Sequence, residues 1–296
     1  MKTIGLFDLD SRIPNLPLMK ISTYYKKWGY KTEFYSPLFH SKYWLIFTSK
    51  IFDYPSKNDP YIRKNMILGG SGHNLEIKLP YEIEHIYPDY DLYNCKYAMG
   101  FITRGCIRNC PWCIVPKKEG YIYKNTDLWE FTKNQRRVML LDNNFLAYKN
   151  HIAELKILKD SNKQIDFNQG LDIRLITPEN ARLLKEIKRW RKRPLRFALD
   201  DINLIPIIEK KLKILFNAGF SNRQLLFYVL IGFNTTENED LIRINFLKEY
   251  RIDPFIMPFD KSDYYQKTLT RYVNHKAIFW NEKISWYEYK KRSLKF

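Results

Sequence analysis

The chain has 296 residues, of which 45% are hydrophobic and 16% aromatic, a composition that allows a buried core and excludes a disordered chain. The formal net charge is +18, with 50 Lys and Arg against 32 Asp and Glu. This charge favours a polyanionic partner such as nucleic acid, but a compositionally biased genome produces the same balance, so both explanations stay open.

The sequence does not resemble a membrane or secreted protein. Its N-terminal apolar stretch is interrupted by Asp8 and Asp10, which argues against a signal peptide. The apolar run at 43–47 is far too short to span a bilayer. Four cysteines, three of them clustered, do not make a disulfide framework. We therefore expect a soluble, cytoplasmic protein with no membrane partner.

Residues 1–92 are predicted to form a small Rossmann-like α/β unit. A helical period over 18–29 ends at Gly29. Strand-like apolar runs occupy 3–9, 31–36, 43–49 and 66–72. Strands that alternate with helices indicate a parallel sheet. The stretch 79–93 fits neither period, so we interpret it as an ordered connector.

Residues 93–262 are predicted to form a partial (β/α)6 barrel of the TIM type. Strand-like runs alternate with helix-like segments, and the runs are 97–103, 137–143, 164–170, 195–201, 225–233 and 252–259. Thr177 before Pro178 indicates one helix start. The repeated strand–helix steps favour a barrel, although an open sheet gives the same pattern. The aromatic and basic tail, 263–296, is expected to be partly helical and to pack on the barrel.

Three of the four cysteines, Cys106, Cys110 and Cys113, lie within eight residues, directly after a strand-like run. Thiolates this close together on one loop can converge on one metal centre. An iron–sulfur cluster normally takes four cysteine thiolates. Three thiolates would therefore leave one iron open to a substrate or a cofactor.

Structural zinc and unconnected thiols are the alternatives. A closed zinc site needs a fourth ligand. Cys95, His85 or His151 could supply it, but none of them lies in a zinc-knuckle context, and the chain has no second CxxC pair. The close spacing argues against three unrelated thiols. The role of Cys95 is not assigned by the sequence.

The CxxxCxxC spacing, with Trp112 before its last cysteine, follows the first strand of a repeated β/α domain and resembles the radical SAM superfamily. The resemblance covers about 97–259. The run 113–120 is also similar to that of methylthiotransferases and of members with a B12-binding-like N-terminal domain. The resemblance implies a [4Fe–4S] cluster whose open iron binds S-adenosylmethionine. One electron, from a donor such as flavodoxin or ferredoxin, then cleaves that cofactor to a 5′-deoxyadenosyl radical.

The same resemblance suggests which residues bind S-adenosylmethionine. Many members carry Gly-Gly-Glu after the second strand, where this chain has Asp142, Asn143 and Asn144. Arg174 is the candidate for the cofactor carboxylate, because a guanidinium binds a carboxylate at two points. The candidate set is Trp112, Asn143, Asn144, Gln169, Arg174 and Gly232. No catalytic acid or base is singled out.

The N-terminal unit resembles a degenerate cobalamin-binding domain. The signature of that family is Asp-x-His-x-x-Gly, in which the His ligates cobalt. Asp8 or Asp10 matches its first position, but Arg12 stands near the place of the His. The glycine loop at 68–72 could still approach a nucleotide-like tail. Cobalamin bound without a His ligand and a domain that only supports substrate binding both stay open.

The leading hypothesis is a radical SAM enzyme that abstracts hydrogen from its substrate or functionalises an unactivated carbon. The basic charge and the methylthiotransferase-like run favour RNA, such as tRNA, as the substrate. A small molecule or a peptide stays open, since no OB-like domain is recognisable after the barrel. The alternative is a non-catalytic nucleic-acid-binding protein stabilised by zinc or by a cluster.

Overall fold

The computed structural model describes residues 2–55, 62–190 and 193–293. The protein is mixed α/β with parallel sheets, which confirms the predicted class. The chain divides into two compact units, Met1–Asp142 and Asn143–Phe296. This twofold division does not test the three predicted domains, whose boundaries stay predictions. In the described part of the chain, no helix is both long and apolar enough to cross a membrane.

A four-stranded parallel sheet forms the N-terminal part of the first unit, in the order β2-β1-β3-β4. Its strands are β1 (Thr3–Asp8), β2 (Lys31–Phe34), β3 (Tyr43–Ser49) and β4 (Met66–Gly69). Helix α1 (Leu16–Lys27) begins after Asn15, whose side chain accepts a hydrogen bond from the backbone N–H of Leu18. Ile4 of β1 and Leu18 of α1, both completely buried, belong to the hydrophobic cluster between this sheet and its helix.

Short elements make up the rest of the first unit. They are the strands β5 (Ala98–Gly100), β6 (Thr103–Arg104), β7 (Tyr123–Lys124) and β8 (Arg137–Leu140) and the helices α2 (Tyr81–Glu84), α3 (Val115–Lys118) and α4 (Leu128–Phe131). β5 and β8 pair in parallel, whereas β6 and β7 are antiparallel. The prediction of a single strand over 97–103 is wrong, because this run is divided into β5 and β6. The strand is interrupted where the backbone N–H groups of Ile102 and Thr103 bond to the Asp142 carboxylate.

The second unit alternates strands and helices. Its strands are β9 (Gln164–Phe167), β10 (Leu195–Ala198), β11 (Leu225–Ile231) and β12 (Asp253–Pro258). Its helices are α5 (His151–Asp160), α6 (Pro178–Glu186), α7 (Ile205–Asn217), α8 (Glu237–Glu249), α9 (Tyr264–Asn274), α10 (Lys276–Phe279) and α11 (Trp286–Ser293). The last three strands form a parallel sheet in the order β10-β11-β12. Alternate residues of β11 are buried, as expected for a strand covered by helices on one face.

Several local predictions are confirmed. Helix α6 begins at Pro178, and the Thr177 side chain caps it by accepting a hydrogen bond from the backbone N–H of Asn180. The connector 79–93 is ordered and contains α2. The tail is partly helical over its described residues, 263–293, as α9, α10 and α11 show. Short 3-10 helices occupy Pro37–Lys42, Tyr90–Tyr93, Phe145–Ala147, Ile173–Leu175, Ile202–Leu204 and Asn222–Gln224.

Candidate metal centre

The three clustered cysteines lie on one loop, residues 105–122, which connects β6 to β7. The β6–β7 pair closes the loop at its base, with Arg104 opposite Tyr123. One step further in, the backbone N–H of Cys106 donates to the carbonyl oxygen of Gly120 at 3.1 Å. The cysteines therefore lie on a loop whose two ends are held together by strand pairing and by a backbone hydrogen bond.

Glycine is required directly before the first cysteine. Gly105 has a φ of +83°, which side-chain-bearing residues rarely adopt. A Cβ atom at this position would lie 2.4 Å from the carbonyl oxygen of Tyr121. The backbone on the two sides of the loop base therefore approaches too closely for any other residue.

A backbone amide donates a hydrogen bond to each of two of the three sulfur atoms. The N–H of Arg108 donates to Sγ of Cys106 at 3.3 Å, and the N–H of Val115 donates to Sγ of Cys113 at 3.4 Å. The N–H of Cys113 bonds to the carbonyl oxygen of Cys110 at 3.0 Å, which turns the chain between them. All three cysteine side chains are half-buried.

The donor set fits an iron–sulfur cluster in its chemistry. Cysteine thiolates are the usual ligands of such clusters, and hydrogen bonds to the sulfurs help to set their reduction potentials. Within the described ranges, no three His, Cys, Asp or Glu side chains are grouped closely enough to hold a metal ion. The grouping of side chains therefore does not support a cluster. What supports one is that the candidate ligands are cysteine thiols and that backbone amides donate to two of the sulfurs.

A buried carboxylate fixes the strand that leads into the loop. Asp142, only 3% exposed, accepts hydrogen bonds from the N–H of Ile102 at 3.2 Å and from the N–H of Thr103 at 2.5 Å. The Thr103 hydroxyl donates to the same carboxylate at 2.8 Å. Burial raises the pKa of Asp142 to about 6, although these hydrogen bonds oppose the shift. These hydrogen bonds give Asp142 a structural role at the start of the loop.

Four charged residues, Lys20, Glu84, Arg104 and Glu119, form a network at the base of the loop. The Arg104 guanidinium donates to Glu84 at 2.9 Å and to Glu119 at 3.1 Å. The Lys20 ammonium donates to the same Glu84 carboxylate at 2.8 Å. The guanidinium also stacks on the Phe101 ring, 3.9 Å from its centroid. We refer to these four charged residues as the Arg104 network.

Burial and the attraction between opposite charges have opposite effects on the pKa values of Glu84 and Lys20. Burial by itself would raise the pKa of Glu84, but Arg104 and Lys20 reverse this effect, so that its pKa lies below the ordinary value. Lys20 has a lowered pKa because burial outweighs its attraction to Glu84. The sequence did not reveal the network. Lys20 and Glu84 are 64 positions apart, and Lys20 lies within an otherwise ordinary helical segment.

The remaining predicted cofactor residues are spread over the two units. Trp112 is half-buried on the cysteine loop of the first unit. Asn143 and Asn144 open the second unit, where Asn143 is half-buried and Asn144 is 4% exposed. Gln169 is exposed after β9. Asn143 and Asn144 follow β8, and Gln169 follows β9. The roles of all four residues in binding a cofactor stay predictions.

Two further candidates already have well-defined partners inside the second unit. The Arg174 guanidinium binds the Asp172 carboxylate at two points, at 2.7 and 3.0 Å. A cofactor carboxylate would therefore have to share Arg174 with Asp172. Gly232 has a φ of +78°, and a Cβ atom there would lie 2.1 Å from the Gln266 side chain. The positive φ, together with the packing against Gln266, accounts for a glycine at this position.

The N-terminal signature residues have structural roles. Asp8 accepts hydrogen bonds from the N–H of Ser11 and from the Tyr93 hydroxyl, at 3.1 and 2.7 Å. Asp10 accepts from two backbone N–H groups of the loop after β3. Arg12, which stands near the place of the cobalt-ligating His, is exposed. A guanidinium has no lone pair to offer cobalt, so these residues do not fit a His-ligated cobalamin.

Comparison with known proteins adds no family assignment. The sequence matches neither a protein-family profile nor a curated protein.

Proposed function

We propose that this protein is a radical SAM enzyme in which Cys106, Cys110 and Cys113 hold a [4Fe–4S] cluster. The observation that carries the proposal is the closed loop that presents three cysteines, with backbone amides donating to two of the sulfurs. We also propose a Rossmann-like, degenerate cobalamin-binding-like arrangement for residues 1–92 and a partial (β/α)6 barrel for 93–262. The order β2-β1-β3-β4 and the parallel β10-β11-β12 sheet support this fold proposal.

In this proposal the chain itself performs four tasks. The three thiolates bind iron, and the N–H groups of Arg108 and Val115 stabilise negative charge on two of the sulfurs. The β6–β7 pair and Asp142 hold the ends of the loop. The proposed cofactor contacts are Trp112, Asn143, Asn144, Gln169, Arg174 and Gly232. A bound cluster, once reduced by an external donor, would supply one electron to the sulfonium of S-adenosylmethionine, whose C–S bond would break to give methionine and a 5′-deoxyadenosyl radical.

Anaerobic reconstitution of cysteine variants tests the ligand assignment. We expect Cys110→Ala to lose the brown chromophore, the stoichiometric iron and sulfide, and the release of 5′-deoxyadenosine. The matched control is Cys95→Ala, because the Cys95 thiol lies outside the loop and donates to the Tyr97 carbonyl at 3.2 Å. The control should keep the iron content of the parent. Parental iron content in Cys110→Ala would contradict the assignment.

The same preparation distinguishes the alternative function. A colourless protein that carries one zinc ion and no sulfide would indicate a zinc-stabilised nucleic-acid-binding protein. A cluster that forms but does not change its spectrum when S-adenosylmethionine is added would indicate a cluster with a structural role only. Either outcome would contradict the proposed radical chemistry.

Two additions to the cleavage assay address the substrate and the second cofactor. We propose RNA as the substrate class because the net charge is +18. Total tRNA should then increase 5′-deoxyadenosine release, whereas an equal concentration of a polyanion without bases, such as heparin, should not. Cobalamin is not expected to change the rate, since the signature carries Arg12 in place of a His.

A further inference from the structure

We propose that the Arg104 network sets the reduction potential of a cluster bound in the cysteine loop, with Arg104 and Glu119 acting in opposite directions. This inference rests on the proposed function, because it requires the loop to bind a cluster. Neither residue ligates the cluster. Both act on its reduction potential through their charge.

The chain itself keeps both charges near the cysteines. Arg104 precedes Cys106 by two residues, which limits their Cα separation to about 7 Å. Glu119 directly precedes Gly120, whose carbonyl oxygen accepts a hydrogen bond from the Cys106 N–H at 3.1 Å. The two side chains meet at 3.1 Å. Both residues therefore belong to the base of the loop, close in the chain to the first cysteine and to its backbone partner, and their side chains form one opposed pair.

Burial keeps solvent from screening these charges. The side chains of Lys20, Glu84, Arg104 and Glu119 are 6%, 17%, 16% and 11% exposed. Two cations face two anions, so the network as a whole is neutral. Removal of one member leaves one uncompensated charge next to the loop, and its sign depends on which member was removed.

The direction of each effect follows from the charge on the cluster. Reduction adds one electron from an external low-potential donor, so a nearby positive charge stabilises the reduced form. Arg104→Gln removes a positive charge and should lower the potential, whereas Glu119→Gln removes a negative charge and should raise it. For a charge about 10 Å away at an effective dielectric constant near 20, Coulomb's law gives roughly a tenfold change in the reduction equilibrium. A tenfold change is about 59 mV for a one-electron couple.

The experiment is a redox titration, followed by electron paramagnetic resonance, of anaerobically reconstituted parent and variants. Iron and sulfide contents are measured on each sample. Arg104→Gln and Glu119→Gln should shift the midpoint in opposite directions. Arg104→Lys keeps the positive charge but replaces the planar guanidinium by an ammonium group. Because the charge is retained, the midpoint of this variant should stay near that of the parent. The matched control is Glu33→Gln, which removes a carboxylate paired with Lys42 in the N-terminal sheet of the same unit and should not shift the midpoint.

Several results would overturn the inference. Shifts of the same sign in the two Gln variants, or no shift at parental cluster content, would show that charge at these positions does not act on the potential. Loss of the cluster in both Glu119→Gln and Arg104→Lys would assign the network to folding of the loop alone. A parent that binds no iron would instead contradict the proposed function, which keeps the two failures distinct.

Discussion

Replacement of Asp142 by Asn removes a buried carboxyl group whose protonation is coupled to folding. In the folded protein, burial raises the pKa of this group from 3.8 to about 6. In the unfolded chain the group returns to its ordinary pKa. The parent protein should therefore lose stability as the pH rises between these two values, whereas Asp142→Asn should lack this component.

The sign and the size follow from linkage. Between pH 3.8 and about 6, the folded state binds more protons than the unfolded state, so the free energy of unfolding falls as the pH rises. The shift is about two pKa units, and each unit corresponds to about 1.4 kcal/mol. The stability of the parent relative to the variant should therefore fall by about 3 kcal/mol from pH 4 to pH 7. The side chain is almost completely buried, so solvent screening reduces this value little.

Urea unfolding of the cluster-free proteins at several pH values measures the difference. Subtracting the variant from the parent cancels the groups that titrate in both. The matched control is Asp160→Asn, which replaces a side chain that is 73% exposed and should leave the fall in stability of the parent between pH 4 and pH 7 in place. A parent-minus-variant difference that is flat from pH 4 to pH 7, or that rises, would refute the assignment of a raised pKa to Asp142.

Two further substitutions test packing in the two units. Arg243→Met should destabilise the protein by about 3 to 5 kcal/mol, because it leaves the buried Asp240 carboxylate without its cation. Urea unfolding measures this loss of stability. A free energy of unfolding close to that of the parent would show that the ion pair is dispensable. Gly100→Ala should cost about 1 to 3 kcal/mol, since its Cβ atom would lie 2.5 Å from the Phe131 ring. An unchanged thermal midpoint for Gly100→Ala would show that the ring moves aside freely.

The sequence predicts local structure well where local physics decides it. Strand β1 follows from an apolar run, and the start of α6 follows from Thr177 and Pro178, whose cap forms as expected. The division of the 97–103 run into β5 and β6 could not be predicted. It depends on Asp142, some 40 positions away, which takes the backbone N–H groups that would otherwise continue the strand.

The candidate site shows the same limit. The spacing of its three cysteines is visible in the sequence because all its information lies within eight residues. What closes the loop is not visible, since Gly105 reveals its role only when the Tyr121 carbonyl is seen to pack against it. Arg174 shows a second limit, because the sequence does not reveal the partner that its side chain already has. A guanidinium suited to a cofactor carboxylate is bound at two points by Asp172, its neighbour two residues earlier.

We propose that the buried charges at the base of the loop do more than hold it in place. A neutral apolar packing of the same volume often stabilises a protein as well as a buried ion pair does, because the pair must give up its hydration. Stability alone therefore does not explain why Lys20, Glu84, Arg104 and Glu119 remain charged beside the cysteines. A site that must control the energy of an added electron has a use for such charges, because each one shifts that energy in a fixed direction. This reasoning links the network to the chemistry proposed for the loop, and the opposite shifts expected for the Arg104 and Glu119 variants put it to a direct test.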